Sequence, residues 1–279
     1  METEKTPNGY LSPAVAGSGA IAAGLAAAAT TLGEVRLLAR SDESAWRAEE
    51  QVEKLCSKLE GGDASNLKVT TNPGELAGCD LVAEAIVEDH DSKVELHRML
   101  AEACPDADLA TTSSSLNIRR LAADIGRPER FYGLHVFNPV TRMELVELCL
   151  PDELADGVAD RARAFTAALG KTGVEVPDTA GFVVNRLLFP YLFDAVRFME
   201  ASGMEAADVD ACMSMGAGHP MGPLKLIDFI GIDVSVAIGD SLVAESGEAY
   251  QGPPELLRTM LAEGKLGRKS KQGFYNYER

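Results

Sequence analysis

The sequence AVAGSGAIAAGLAAAATTLGEVRLLA, residues 14–39, decides the fold of this chain. It contains an apolar run, a glycine turn, a stretch of small residues that extends to Thr31, and a second apolar run from Val35 to Ala39. A strand, a turn, a helix and a second strand in this order form the first unit of a doubly wound α/β sheet. The segment therefore predicts a dinucleotide-binding fold in this part of the chain.

The turn GSGAIA within this segment has the form GxGxxA. Its first glycine, Gly17, allows a tight turn, and its second, Gly19, allows the backbone to approach a pyrophosphate at the N-terminus of the helix. Ala20, Ile21 and Ala22 then lie in the first turn of the helix. We predict that a dinucleotide binds at these five residues.

The end of the second predicted strand indicates which dinucleotide binds. A site for NAD usually has an acidic residue here, which accepts a hydrogen bond from the ribose 2′-hydroxyl. This chain has Arg40 and Ser41 instead, and a guanidinium next to a hydroxyl suits a 2′-phosphate. We therefore predict NADP as the cofactor, with NAD as the alternative if Asp42 or Glu43 binds the ribose.

Later apolar runs continue the sheet. They predict strands at 67–71, 81–86, 109–112 and 174–177, with helices between them, including one over 152–169. The strand at 109–112 runs into three serines, Ser113 to Ser115. Open α/β sheets bind their ligands at the carboxyl ends of the strands, so this serine turn is a candidate ligand site.

The pattern changes near Asp178. From Gly181 onward no further strand alternates with the helices, and the remaining sequence has helical spacing throughout. We predict an α/β fold with a Rossmann-type, doubly wound, mostly parallel sheet over residues 1–177. A smaller all-α domain over residues 178–279 follows it.

Composition excludes several classes of protein. The chain has 279 residues, of which 46% are hydrophobic, and a formal net charge of −17, which disfavours nucleic acid as a partner. No apolar run is long enough to span a membrane. The five cysteines are widely spaced and form no CxxC motif, which is typical of a reducing compartment, so we expect a cytoplasmic protein and no metal site.

Two polar residues stand out in the apolar segment YGLHVFNPVTRMELVELCL, residues 132–150. They are His135 and Glu147, and a carboxylate among leucines is costly unless it is paired. An imidazole is a suitable partner, because the carboxylate can hold it in one tautomer. The pair is either a general base with the residue that orients it, or a hydrogen-bonded pair of structural importance alone.

Six segments of the chain match a known enzyme family. They are TSSSL at 112–116, GLHVFNPV at 133–140, ELVEL at 144–148, GFVVNRLLFPYL at 181–192, GAGHPMGPLKLIDFIG at 216–231 and LGRKSKQGFYNY at 266–277. On these segments the chain resembles the 3-hydroxyacyl-CoA dehydrogenases of the short-chain, 3-hydroxybutyryl-CoA type. The resemblance extends from about the glycine turn to the last of these segments.

The resemblance implies roles for particular residues. It assigns the catalytic histidine to His135 and the paired glutamate to Glu147. It assigns the residues that hold the substrate oxygens to Ser114 and Asn185, and it places Asn138 in the same pocket. Because the resemblance puts Ser114 and Asn185 in different domains, the site is expected to be a cleft.

Further roles concern the cofactor and the partners. The resemblance places Glu88 and Lys93 near the nicotinamide, with Ser114 and Asn138 also next to the cofactor. It implies that the helical domain forms a homodimer. Lys54 and Lys58 are available for the phosphates of CoA, although the segment between Arg40 and residue 67 is shorter than is usual in the family.

The resemblance thus implies an oxidoreductase of fatty acid metabolism that transfers a hydride between a nicotinamide cofactor and C3 of a short 3-hydroxyacyl-CoA. The shortened segment leaves open a dehydrogenase of the same fold that acts on a CoA-free hydroxy acid or polyol. A catalytically silent member is a third possibility. Of the other histidines, His219 is predicted to be structural, and His90 and His97 are predicted to lie on the surface.

Overall fold

The computed structural model describes residues 9–278. The chain folds into two compact units, with the division between Asp178 and Thr179. The first unit is built on one eight-stranded sheet, and the described part of the second unit is helical.

The sheet has the strand order β3-β2-β1-β4-β5-β6-β7-β8. All neighbouring strands are parallel except β6 and β7, which are antiparallel. This is the doubly wound, mostly parallel sheet that the sequence predicted. The strands are β1 Pro13–Ala16, β2 Val35–Leu38, β3 Leu67–Thr70, β4 Leu81–Glu84, β5 Asp108–Thr111, β6 Phe131–Val136, β7 Leu145–Cys149 and β8 Thr172–Glu175.

Five α-helices belong to the first unit: α1 Ala20–Ala29, α2 Asp42–Cys56, α3 His90–Ala103, α4 Ile118–Ile125 and α5 Val158–Ala168. The alanine-rich α1 is almost entirely buried, because small side chains allow it to pack closely on its neighbours. At Gly24 the packing is so close that a Cβ would lie 2.9 Å from the Cβ of Val140. This contact fixes the loop after β6 against α1.

The start of α5 differs from the sequence prediction. A helix was predicted from Asp152, but α5 begins at Val158. Gly157 precedes it with φ of 82°, and this left-handed conformation interrupts a continuous helix. Apolar spacing alone did not reveal this break.

The second unit contains α6 Val184–Ser202, α7 Ala206–Ala211, α8 Pro223–Ile230, α9 Ile232–Ser246 and α10 Glu255–Ala262. Its core includes Phe189, Phe193 and Leu224. Asp228 is buried at the end of α8 and accepts the backbone N–H groups of Phe274 and Tyr275, so it fastens the last segment of the chain to the helices.

No helix within residues 9–278 is long and apolar enough to cross a membrane.

Candidate active site

The sheet brings most of the predicted site residues of the first unit to one edge. Strands β2, β1, β4, β5 and β6 are consecutive parallel neighbours, so their carboxyl ends lie side by side. Each of these strands is followed by predicted site residues or ends in one. In spatial order they are Arg40 and Ser41 after β2, the glycine turn after β1, Glu88 after β4, Ser114 after β5, and His135 with Asn138 at the end of β6.

The glycine turn has the shape that a pyrophosphate requires. Gly17 has φ of 138°, and a Cβ there would lie 2.3 Å from the carbonyl oxygen of Ala85. A Cβ built on Gly19 would instead meet no heavy atom of the described chain within 4 Å, so the second glycine borders open space. The backbone of Gly19 can therefore approach an anion at the N-terminus of α1.

The start of α1 is electrostatically suited to the same anion. Its first turn, Ala20 to Ala23, contains no acidic side chain, and no side chain of the described residues caps it. The first N–H groups of the helix and its dipole are therefore available to a phosphate. Ala22 is fully buried, so it contributes to this site through packing.

Arg40 and Ser41 differ in what they are available to bind. The Arg40 side chain is exposed immediately after β2. Ser41 is the N-cap of α2, and its hydroxyl accepts the backbone N–H of Ser44 at 3.3 Å. Asp42 and Glu43 follow in the exposed first turn of α2.

His135 and Glu147 are directly opposite each other on the antiparallel strands β6 and β7. The Nδ1 atom of His135 is 2.6 Å from Oε2 of Glu147, and both residues are buried. A carboxylate at this distance accepts a hydrogen from Nδ1, so Nε2 is the ring nitrogen that can exchange a proton. The ring is also held by Phe137, whose centroid is 4.5 Å from that of His135.

The loop that follows β6 carries Asn138 and is held at several points. The Asn138–Pro139 peptide bond is cis. Lys171, just before β8, donates to the carbonyl oxygens of Val140 and Met143, the latter at 2.8 Å. Burial lowers the pKa of Lys171. A lysine from the far end of the sheet thus secures the loop of a predicted site residue.

The serine turn after β5 wraps around the Glu88 carboxylate. Oε1 of Glu88 accepts the Ser113 hydroxyl at 2.7 Å, the Ser114 N–H at 2.7 Å and the Ser115 N–H at 2.9 Å. Desolvation would raise the pKa of Glu88, but the Lys93 charge and these hydrogen bonds hold that pKa below its usual value. Glu88 therefore acts as an anion that orders the turn carrying Ser114.

Lys93 is fully buried, so its ammonium requires buried counter-ions. Its Nζ is 2.6 Å from Oε1 of Glu84 and 3.4 Å from Oε2 of Glu88. Burial would raise the pKa of Glu84, but the nearby His97 ring and the Lys93 charge lower it to about 2. Glu84 was not among the predicted site residues.

The prediction that His97 lies on the surface was wrong. The ring is fully buried against Phe131, with centroids 4.8 Å apart, and its Nε2 lies 3.3 Å from Oε2 of Glu84. Burial lowers the pKa of this histidine. Its spacing from Val94 and Leu100 on α3 was the signal that could have revealed its buried position.

Two sequence profiles match this chain. The profile of the NAD-binding domain of 3-hydroxyacyl-CoA dehydrogenases matches residues 12–179. The profile of the C-terminal domain of 3-hydroxyacyl-CoA dehydrogenases matches residues 181–277. The chain belongs to the 3-hydroxyacyl-CoA dehydrogenase family. It is therefore an oxidoreductase with a nicotinamide cofactor, which agrees with the open space beside Gly19.

Individual relatives of this dehydrogenase support the assignment. A 3-hydroxybutyryl-CoA dehydrogenase of Mycobacterium tuberculosis is 43% identical over 216 residues, which cover 76% of this chain and 75% of that protein. A probable 3-hydroxybutyryl-CoA dehydrogenase of Deinococcus radiodurans is 38% identical over 274 residues, covering 94% and 99%. The crystal structure of (S)-3-hydroxybutyryl-CoA dehydrogenase from Ralstonia eutropha has a TM-score of 0.89 at 32% identity, covering 96% of this chain and 99% of that one.

The remaining predicted residues of the dehydrogenase are placed as follows. Lys54 lies in the last turn of α2 and Lys58 in the turn just after it; both are exposed and line a groove with Arg47 and two glutamates. Asn185 is the second residue of α6 and is buried within the second unit. His219 accepts or donates a hydrogen bond with the Tyr191 hydroxyl, 3.1 Å from its Nδ1.

Proposed function

We propose that the protein interconverts an L-3-hydroxyacyl-CoA and the corresponding 3-oxoacyl-CoA, with His135 as the general base. The observation that carries this proposal is the buried 2.6 Å contact between His135 Nδ1 and Glu147 Oε2. Because Nδ1 is bound to Glu147, the Nε2 atom of His135 is the one that can accept the proton of the 3-hydroxyl group. Glu147 stabilises the imidazolium that forms, and this is how a carboxylate supports a catalytic histidine.

The other residues of the proposed reaction orient the substrate. The Ser114 hydroxyl and the Asn185 amide are the proposed partners of the acyl oxygens, and Asn138 is a further proposed contact of the substrate. The bound nicotinamide supplies or accepts the hydride at C3 of the substrate. In the reductive direction, His135 returns its proton to the oxygen that becomes the hydroxyl.

We further propose that the substrate carries a short acyl chain on CoA. Relatives over most of the chain are named 3-hydroxybutyryl-CoA dehydrogenases, which supports a four-carbon acyl group. Lys54, in the last turn of α2, and Lys58, just after this helix, are exposed and are the proposed partners of the CoA phosphates. Free CoA should then raise the melting temperature, and no shift would favour a CoA-free hydroxy acid or polyol.

NADP is the proposed cofactor, with NAD as the alternative. Arg40 is exposed at the end of β2, where a 2′-phosphate would lie, and Ser41 is engaged in capping α2. An exposed guanidinium suits a phosphate because it carries a permanent charge and several donors. Glu88, with Lys93 held behind it, is the proposed acidic group near the nicotinamide.

We also propose two domains, 1–177 for the cofactor and the catalytic pair and 178–279 for substrate binding and dimerisation. Large apolar side chains that are more than half exposed in the second unit support a homodimer formed through it. They include Leu187, Phe198, Met215 and Phe229.

The experiment that tests the function is steady-state oxidation of NADPH and, separately, of NADH with acetoacetyl-CoA as the acceptor. We expect turnover with both and a higher kcat/KM with NADPH. A preference for NADH would overturn the proposed role of Arg40 and leave the reaction intact. Cofactor binding without any turnover would overturn the proposed reaction.

A further inference from the structure

Glu84 is a fully buried carboxylate to which no role in the reaction has been assigned. It is the last residue of β4, at the edge of the sheet that carries the proposed active site. Lys93 Nζ lies 2.6 Å from its Oε1, which also accepts the Ile86 N–H at 2.7 Å. Its Oε2 accepts the Thr111 hydroxyl at 2.7 Å and is 3.3 Å from Nε2 of His97. Contacts on both oxygens hold this carboxylate in one orientation.

The charges around Lys93 are unequal, and of the two carboxylates only Glu84 is buried. Glu84 and Glu88 are anionic, because the pKa of each is lowered, whereas Lys93 supplies one positive charge. His97 is neutral near pH 7, since burial lowers its pKa. Lys93 is therefore shared between two carboxylates. If its pairing with Glu84 weakens, Lys93 attracts Glu88 more strongly and draws it away from the serine turn.

The contacts form a continuous series from Glu84 to Ser114. Glu84 binds Lys93 at 2.6 Å, Lys93 lies 3.4 Å from Glu88, and Glu88 accepts the Ser114 N–H at 2.7 Å. Glu84 ends β4, Glu88 lies in the loop that follows, Lys93 is in the first turn of α3, and Ser114 follows β5. A change of charge at Glu84 thus reaches Ser114 through two intervening side chains.

We propose that Glu84 is a positioning residue for the dehydrogenase reaction: it holds Lys93 in place, and Lys93 sets the position of Glu88 and hence of Ser114. This role rests on the proposed function, because Ser114 is the residue that orients the substrate. Lys93 acts inside the protein and reaches the active site through Glu88. Glu84 itself is too deeply buried to touch the substrate.

The test is Glu84→Gln, made both in the unaltered protein and in a Ser114→Ala background. Glutamine keeps the size of the side chain and removes the charge that balances Lys93. We expect kcat for acetoacetyl-CoA reduction to fall about tenfold, while the dissociation constant of the cofactor changes less than about threefold. In the Ser114→Ala background, Glu84→Gln should cause no further loss of kcat, because its effect passes through Ser114.

Two further variants keep the test decisive. Asp108→Asn removes the charge of another buried carboxylate, at the opposite edge of the sheet, and should lower the melting temperature without changing kcat in either background. Thr111→Val removes one hydrogen bond to Glu84 and changes the side-chain size little. If Glu84→Gln does not fold, Thr111→Val should show the same dependence on Ser114 with an effect of about threefold on kcat.

Cofactor binding, followed by fluorescence titration, separates the possible failures. If the unaltered protein binds a nicotinamide cofactor but does not turn over acetoacetyl-CoA, the proposed function is wrong, and the role of Glu84 in that reaction is wrong with it. If turnover is normal and Glu84→Gln lowers kcat equally with and without Ser114, Glu84 supports the fold alone. An unchanged kcat in Glu84→Gln would also overturn the positioning role.

Discussion

The two edges of the sheet both contain buried carboxylates, but these carboxylates have different partners. At the amino edge, Asp108 opens β5, and its Oδ2 accepts Nε and Nη2 of Arg161 at 2.8 and 2.6 Å. Arg130 Nη1 and the Tyr10 hydroxyl also bind this aspartate, at 3.2 and 2.9 Å. Guanidinium groups stay charged at all ordinary pH values, so the two arginine partners of Asp108 are permanent cations.

At the carboxyl edge, the partners of the buried carboxylates are a histidine ring and a lysine. Glu147 holds the imidazole of His135, and Glu84 holds the ammonium of Lys93. Buried carboxylates at the two edges of one sheet therefore have different roles. The amino edge fastens Tyr10, β5 and α5 together, whereas the carboxyl edge holds Lys93 and His135, the proposed general base, in place.

Among the tests of this difference between the two edges, His135→Gln should have the largest effect on kcat. Glutamine cannot act as a general base, so kcat should fall about a thousandfold while cofactor affinity changes little. Turnover and fluorescence titration with NADPH measure the two quantities. His90→Gln, at the start of α3, is the matched control and should retain normal turnover. A near-normal rate in His135→Gln would contradict the assignment of the base.

Asp108→Asn tests the amino edge. Two guanidinium groups would lose their buried counter-ion, so the free energy of unfolding should fall by about 3 kcal/mol. Chemical denaturation at neutral pH measures this change, and kcat should be unaffected. A loss of kcat in protein that remains folded would show that the two edges do not have separate roles.

Glu147→Gln tests the carboxylate partner of His135, the proposed general base. Its amide oxygen can still accept a hydrogen bond, but it cannot stabilise an imidazolium charge, so kcat should fall about a hundredfold. The KM for acetoacetyl-CoA should change little. If kcat is preserved, the pair is structural, which is the alternative that sequence spacing left open.

Arg40→Asp tests the cofactor preference at the same edge. Binding of NADPH should weaken by about 2 kcal/mol more than binding of NADH, because a charged hydrogen-bonded contact with the 2′-phosphate is lost. Arg47→Asp makes the same charge change further along α2 and should weaken binding of the two cofactors equally. Equal losses in Arg40→Asp would mean that this arginine does not bind the 2′-phosphate.

A further expected effect is a pH dependence of stability at Glu84. Its pKa falls from 4.5 to about 2 on folding, so its contribution to stability is complete above pH 4.5 and is lost as the pH falls toward 2. By linkage the contribution should be about 3 kcal/mol, measured as the difference in unfolding free energy between about pH 5 and about pH 2. Glu84→Gln should remove this component. An unchanged pH profile would contradict the pairing with Lys93.

Local sequence patterns predicted most of the fold. The alternation of apolar runs with helical spacing located each strand to within about two residues, since strand burial and helix periodicity leave direct signals in the sequence. The glycine turn was recognisable for a related reason, because its conformation demands glycine at Gly17. The antiparallel pairing of β6 with β7 placed Glu147 opposite His135, as the shared apolar segment had suggested.

The errors and omissions have a common cause. His97 is a polar residue on the buried face of α3, so its residue type predicted exposure while its position dictated burial. Glu84 carries the signal that singled out Glu147, a carboxylate within an apolar strand, yet nothing local to β4 indicates its partner. Lys171 lies 31 residues from Val140, whose carbonyl it binds.

The sequence by itself thus determined the order of elements, the glycine turn and the residue types of the candidate site. Tertiary structure alone decided that Lys93 pairs with Glu84 and that Asp108 pairs with Arg161. The physical reason is the distance along the chain over which each kind of interaction acts. Periodicity and turn chemistry act on neighbours along the chain, whereas a hydrogen bond or ion pair forms only where distant segments bring two atoms within about 3 Å.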